Sequence, residues 1–209
     1  MNPKDKPAGQ PFAVPQGFSP QAQDRLPPMA RADMTPAQQA AADALVAGPR
    51  KAVFGPFIAL LRSPELMSRL GKVGEYLRFD SVLDARIREL VMCVVARAVG
   101  NQFEWLMHAP LALQAGVAAP TLASVAAGKH PRGLPADELA ALELAQEVLQ
   151  HHGASDGSYA EALALFGEQG VVELVSLVGY FVTVCWVMNV ARTPAPGVPG
   201  LSALAAFPP

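Results

Sequence analysis

Between Glu173 and Arg192 the chain runs through LVSLVGYFVTVCWVMNVA without a single charge, and this run limits the possible folds more than any other stretch. It is close to the roughly 20 apolar residues that a membrane span needs. Yet it contains Ser176, Gly179, Thr183 and Asn189, and no other segment offers a partner span. It therefore reads as a helix buried in a core or at a subunit interface, with no membrane partner.

The rest of the chain has enough apolar material to surround such a helix. Of its 209 residues 51% are hydrophobic, sufficient for one sizeable domain. The net charge of -2 and the lack of a basic cluster argue against a nucleic-acid partner. Residues 1–33 hold seven prolines among glycines and polar residues, and such a composition reads as a largely flexible arm. A helical domain over residues 34–192 follows, and then a Pro-rich tail, residues 193–209, expected to lie as a strap over a surface. The opening MNPKDKPAGQPF has no apolar segment of the secretory kind. The two cysteines, Cys93 and Cys185, lie in apolar runs without a CxxC pattern, so a cytoplasmic, reducing location is expected.

Helix signals recur along the domain. Thr35-Pro36 pairs an N-cap with proline at the first helical position. Gly55-Pro56 opens a short helix, and Ser63-Pro64 opens one ending near Phe79. Asp84 caps a helix through Ala98, and Gly100-Asn101 interrupts the chain before the next. Pro110 lies inside that helix and Gly116 ends it. Pro120 starts a short helix, Pro135–His151 is amphipathic, and Ser155 caps another that runs to Phe166. No segment reads as a strand, so the expected class is all-α.

One pair within this pattern carries chemistry. Glu104 and His108 are four apart and share a helix face. Phe103, Trp105, Leu106, Met107 and Leu111 surround them, so the face is not an ordinary solvated one. A carboxylate and an imidazole in apolar surroundings are suited to general acid–base work, because burial and mutual charge shift both pKa values. The alternative for the pair is a structural role at a subunit interface. Glu147 and His151 share the same spacing on a polar face, where a solvated pair is expected. The four histidines are scattered, so no metal site is expected.

There is also an internal echo. Aligning Glu89-Leu90-Val91 with Glu173-Leu174-Val175 sets Pro110 opposite Pro194, each twenty-one residues on, which suggests two diverged copies of one helical unit. In the second copy Met188 and Arg192 replace the acid–base pair.

LDARIRELVMCVVARAVGNQFEWLMHAPLALQAG and EQGVVELVSLVGYFVTVCWVMNVAR resemble the carboxymuconolactone decarboxylase family, which includes the alkylhydroperoxidase-D-like proteins. In the peroxidase branch a glutamate precedes CxxCxxxH, with the histidine nineteen residues after it. Glu89 and His108 keep that separation, while Asn101 and Glu104 stand at the two cysteine positions. Peroxide reduction needs a thiolate and a resolving thiol, which neither residue supplies. The resemblance thus implies an alkylhydroperoxidase-D-like helical bundle of the non-CxxC branch. It also implies a homo-oligomer, trimer or hexamer, and a cofactor-independent lyase that decarboxylates a small lactone or other organic acid.

In that reaction the substrate's conjugated carbonyl takes up the electrons, so no cofactor is expected. His108 is then the candidate proton donor, Glu104 its orienting partner or the group repelling the departing carboxylate, and Glu89 the residue fixing the imidazole tautomer. Arg86, Arg88 or Arg97 are candidates to hold a substrate carboxylate. Asn101 and Trp105 are further candidates for substrate contact. The competing readings are a redox protein of the peroxidase branch, which the missing CxxC opposes, and a non-catalytic oligomeric binding protein.

Overall fold

Caps and prolines set the helix starts where the sequence placed them. A computed structural model describes residues 24–205, which form eight α-helices and no strand. The Thr35 hydroxyl accepts from the Gln38 N–H, and the Gln38 side chain accepts from the Thr35 N–H, a closed capping box that opens α1 (Pro36–Ala47). Proline occupies the first turn of α2 (Pro56–Leu60) and α3 (Pro64–Glu75). The chain then widens into one π-type turn, Tyr76–Asp80. Asp84 caps α4 (Ala85–Ala98), and Asn101 caps α5 (Gln102–Gln114). After α6 (Ala119–Ala126) and α7 (Ala136–His151), Ser155 caps α8 (Asp156–Ala191).

Helix α4 is the centre of the bundle, packing on α5, α7 and α8. Its Ile87, Val91 and Val95 meet Leu144 of α7 and Leu174, Leu177 and Phe181 of α8. The neighbouring positions Leu90, Cys93 and Val94 meet Leu106 of α5, Leu122 of α6 and Leu142 of α7. A third cluster joins Ala41 and Ala42 of α1 to Phe57, Leu60 and Met67. Apolar side chains around most of α4 leave it no wet face, and burial of each large one contributes about 1.5–3 kcal/mol.

Helix α8 joins the two helices expected over Ser155–Phe166 and Val171–Ala191. They meet at a kink at Gly167, whose φ of 67° and ψ of 175° are not helical, so the two remain separate helices within this span. Length and composition alone would let α8 cross a membrane, but more than half of its most apolar window is buried against the bundle. Its outward stripe is uncharged: Val172, Ser176, Gly179, Thr183, Trp186 and Val190 are all exposed. Within the span of the sequence echo the two halves differ: α4 and α5 break at Gly100-Asn101, whereas α8 continues through the corresponding Val184-Cys185.

Two further expectations resolve into specific contacts. Glu147 interacts with the charge of His151 at the surface, as expected, and has a second part. It accepts from the Ser155 N–H and from the Ser155 and Ser158 hydroxyls, fixing the start of α8. Residues 1–23 of the expected arm and 206–209 of the tail lie outside the described residues. Of the remainder, the Arg25 N–H donates to the Ala191 carbonyl, and Arg62 donates to the Pro27 carbonyl. The tail crosses α4 and α5: Arg97 donates to the Ala205 carbonyl, Gln102 pairs with the Leu204 backbone, and Leu204 is buried.

Candidate functional site

The site begins with the break between α4 and α5. Gly100 takes a φ of 65°, turning the chain so that Asn101 can cap α5. The Asn101 Oδ1 accepts from the Glu104 N–H at 2.8 Å, while its Nδ2 donates to the Cys185 carbonyl at 3.2 Å and to Asn189 Oδ1 at 3.0 Å. One buried amide thus fixes the first turn of α5 and ties it to α8.

With that turn fixed, the next turn of α5 presents Glu104 and His108 towards α8. The imidazole lies between two carboxylates: Nδ1 is 2.7 Å from Glu89 Oε2 and Nε2 is 3.0 Å from Glu104 Oε2. The Phe181 ring meets it edge-on, with centroids 5.2 Å apart. His108 is only 3% exposed. Burial pulls its pKa down, but the hydrogen bonds and charges of Glu104 and Glu89 outweigh this, and the net direction is upward from 6.5. The imidazolium form is thereby favoured, with a proton on each nitrogen and an acceptor for each.

Glu104 and His108 form part of the wall of a cavity of about 50 Å³, to which Arg50, Arg78, Phe103 and Tyr180 also contribute. Such a volume suits one small polar group, with the remainder of a ligand in the mouth. The Arg50 guanidinium lies over the Phe57 ring, 4.6 Å from its centroid, and donates a long 3.5 Å hydrogen bond to the Tyr180 hydroxyl. Among the described residues neither Arg50 Nε nor Arg78 Nε, both buried, has a hydrogen-bond partner. Burial first, and then the like charge of Arg78, lowers the Arg50 pKa. Burial raises that of Tyr180, keeping it a neutral phenol.

Space for this cluster depends on Gly74 of α3. A Cβ there would lie 2.0 Å from the Tyr180 hydroxyl oxygen and 2.7 Å from Arg50 Nη2. Glycine lets both groups approach the α3 backbone.

The structure therefore brings together Glu89, Glu104 and His108 and places the other sequence candidates elsewhere. Arg86 is held by Asp137 and Glu138 of α7, where two acidic partners compensate its charge. Arg88 donates to the Ser81 and Leu83 carbonyls, closing the loop before α4. Arg97 and Trp105 bind tail carbonyls, those of Ala205 and Ser202. Asn101 is the cap described above. None of these five lines the cavity beside His108. The residues that sequence reasoning missed are Arg50, Arg78 and Tyr180. The one signal for them was a polar aromatic, Tyr180, within an uncharged helix.

Redox chemistry by the cysteines is not supported by their setting. Cys93 and Cys185 are buried free thiols, and burial first, with nearby Glu104 and, for Cys93, Glu89, pushes both well above the ordinary thiol range. Among the described residues no group of three or more His, Cys, Asp or Glu side chains is arranged to hold a metal ion.

The carboxymuconolactone decarboxylase family profile matches residues 64–147, from α3 into α7. This includes Glu89, Glu104 and His108 but not Arg50 or Tyr180. A crystal structure from Agrobacterium tumefaciens, described as a protein of unknown function and candidate antioxidant defence protein AhpD, superposes with a TM-score of 0.58 at 17% identity. The superposition covers 66% of this chain and 96% of that one, and at such identity it establishes a shared fold. No curated protein matches the chain.

Proposed function

Because residues 64–147 match the carboxymuconolactone decarboxylase family, we propose that the chain is a cofactor-independent carboxy-lyase using general acid–base chemistry on a small lactone or related organic acid. The observation that carries this reading is the His108 imidazole, held by a carboxylate on each nitrogen beside a cavity that also holds two arginines.

Each residue has a distinct part. A substrate carboxylate binds at Arg50 and Arg78. Its bond to the ring carbon breaks, and the electron pair moves into the conjugated carbonyl, whose oxygen becomes a dienolate. Carbon dioxide leaves, and a proton passes from His108 Nε2 through Glu104 to carbon, to be replaced from water. Glu104 reaches the substrate because it is part of the cavity wall. Glu89 is a positioning residue: behind the imidazole, it holds the Nδ1 proton so that Nε2 faces Glu104. A peroxidase reading has no matching thiol site.

The same proposal includes self-association. The exposed stripe of α8 is self-complementary about Gly179 in an antiparallel pairing. Val172 of one copy falls opposite Trp186 of the other, and Glu168 falls near the end of the helix that carries Arg192. Such a two-fold contact is compatible with a hexamer. Sedimentation of Trp186→Glu, which puts a charge in the seam, should show smaller particles than the unaltered chain.

The activity is tested by following carbon dioxide release from a panel of unsaturated lactone carboxylates and related acids, in the unaltered protein and in His108→Gln. Release by the former and its loss in a folded variant supports the lyase. Equal release by both sinks it, and so does no release from any member of the panel.

A further inference from the structure

The acid–base reading leaves open what kind of acid the cavity accepts, and the charges around it decide between classes. The cavity wall carries two guanidiniums, Arg50 and Arg78, against one carboxylate, Glu104, with Glu75 also acting on Arg50 from outside the wall. Both site carboxylates are already engaged by the imidazole. The polar partner of Arg50 is the neutral Tyr180 hydroxyl at the long distance of 3.5 Å, and the two guanidiniums repel one another. Buried Nε–H donors on both arginines have no acceptor among the described residues. The remaining wall is apolar, including Phe54, Phe103, Leu111 and Val184.

We propose that Arg50, Arg78 and Tyr180 form a receptor for a single carboxylate, so that the substrate is a small monocarboxylate with a flat apolar body. The inference rests on the acid–base reading for the word substrate, but the receptor stands on its own geometry. One negative charge beside the guanidiniums offsets their mutual repulsion. A second carboxylate on the same molecule would lie against the aromatic wall or beside Glu104, where it is desolvated or repelled. Gly74 keeps the receptor open, since any side chain there would displace the Tyr180 hydroxyl and Arg50.

The experiment is equilibrium binding by calorimetry on the full chain, with matched probes. 2-Furoate and benzoate carry one charge, 2-furamide and benzamide carry none, and furan-2,5-dicarboxylate carries two. The monoanions should bind about tenfold or more tightly than the amides and the dianion, the effect of one charge-assisted hydrogen bond. Arg50→Gln and Arg78→Gln should each remove that preference, bringing monoanion affinity to that of the amide, with helical circular dichroism retained.

Equal affinity for monoanion and amide in the unaltered protein overturns the receptor without reference to any variant. Equal affinity for the dianion overturns the single-carboxylate claim. Carbon dioxide release by the unaltered protein separates the two readings, because release requires the acid–base site whereas the furoate preference requires only the arginines. If the unaltered protein releases no carbon dioxide from the lactone panel while the arginine variants lose the furoate preference, the acid–base reading fails and the receptor stands.

Discussion

Glu89 and Glu173 occupy matching positions in the sequence echo, and both become carboxylates shielded among packed helices, yet they differ in what surrounds them. Glu173 accepts hydrogen bonds from the Ser81 and Tyr76 hydroxyls, the Gln169 amide and the Val82 N–H. Burial raises its pKa, but these donors prevail and bring it down to about 2. All four donors are neutral and fixed, so the carboxylate is a latch holding the α3–α4 connection to α8. Glu89 instead binds an imidazole, a partner able to give up its proton, and that imidazole reaches a cavity through Glu104. Burial of a glutamate is common to both. An exchangeable partner and access to a cavity separate the arrangement proposed as catalytic from the structural one.

The largest test of this contrast is His108→Gln, for which turnover should fall by about 10²–10⁴-fold, the range of general acid–base catalysis. Steady-state kinetics beside a thermal melt would show whether fold and activity separate. A loss of only a few-fold would place His108 with Glu173 among structural groups.

Glu173→Gln should do the opposite, lowering unfolding free energy by about 3 kcal/mol with unchanged turnover per folded molecule. Denaturant titration reads the first quantity. The pH dependence has a definite sign. The depressed Glu173 pKa contributes stability that is present above its ordinary value of 4.5 and lost as pH falls through about 2. The variant should lack that acid-dependent component. A stability curve unchanged below pH 4.5 would break the latch assignment.

Gly74→Ala probes the receptor's packing. Alanine in an exposed helix interior would normally stabilise by about 1 kcal/mol. Here the close approach of Tyr180 reverses the sign, and a net loss of about 2 kcal/mol is expected, together with weaker monoanion binding. A gain in melting temperature would mean that the Tyr180 hydroxyl can leave α3 freely.

Glu89→Gln is the smallest and most specific change. The imidazole pKa is raised in the fold, so its contribution to stability is complete below the ordinary 6.5 and is lost as pH rises through the folded value. Removing the Glu89 charge should move the His108 titration midpoint down, as read by NMR of the ring nitrogens. An unmoved midpoint would show that Glu104 alone sets the proton affinity.

The arginines show how far the sequence could be read. Arg86, Arg88 and Arg97 were candidates to hold a substrate carboxylate, but the local sequence does not reveal their partners. Asp137 and Glu138, which hold Arg86, are about fifty residues away. Arg50 and Tyr180, which do form part of the cavity wall, are 130 residues apart. No local pattern marks such a pair.

What the sequence determined by itself was short-range. The all-α class, the caps at Thr35, Asp84 and Ser155, and the shared face of Glu104 and His108 all follow from interactions spanning four residues or fewer. The tertiary structure decided which charges are compensated. It paired Arg86 with acids on α7, engaged Glu173 with fixed donors, put Glu89 behind the imidazole, and left Arg50 and Arg78 facing a cavity. The reason is physical: hydrogen bonding within a helix is set by its neighbours in the chain, whereas the environment of a buried charge is set by whichever helices pack against it.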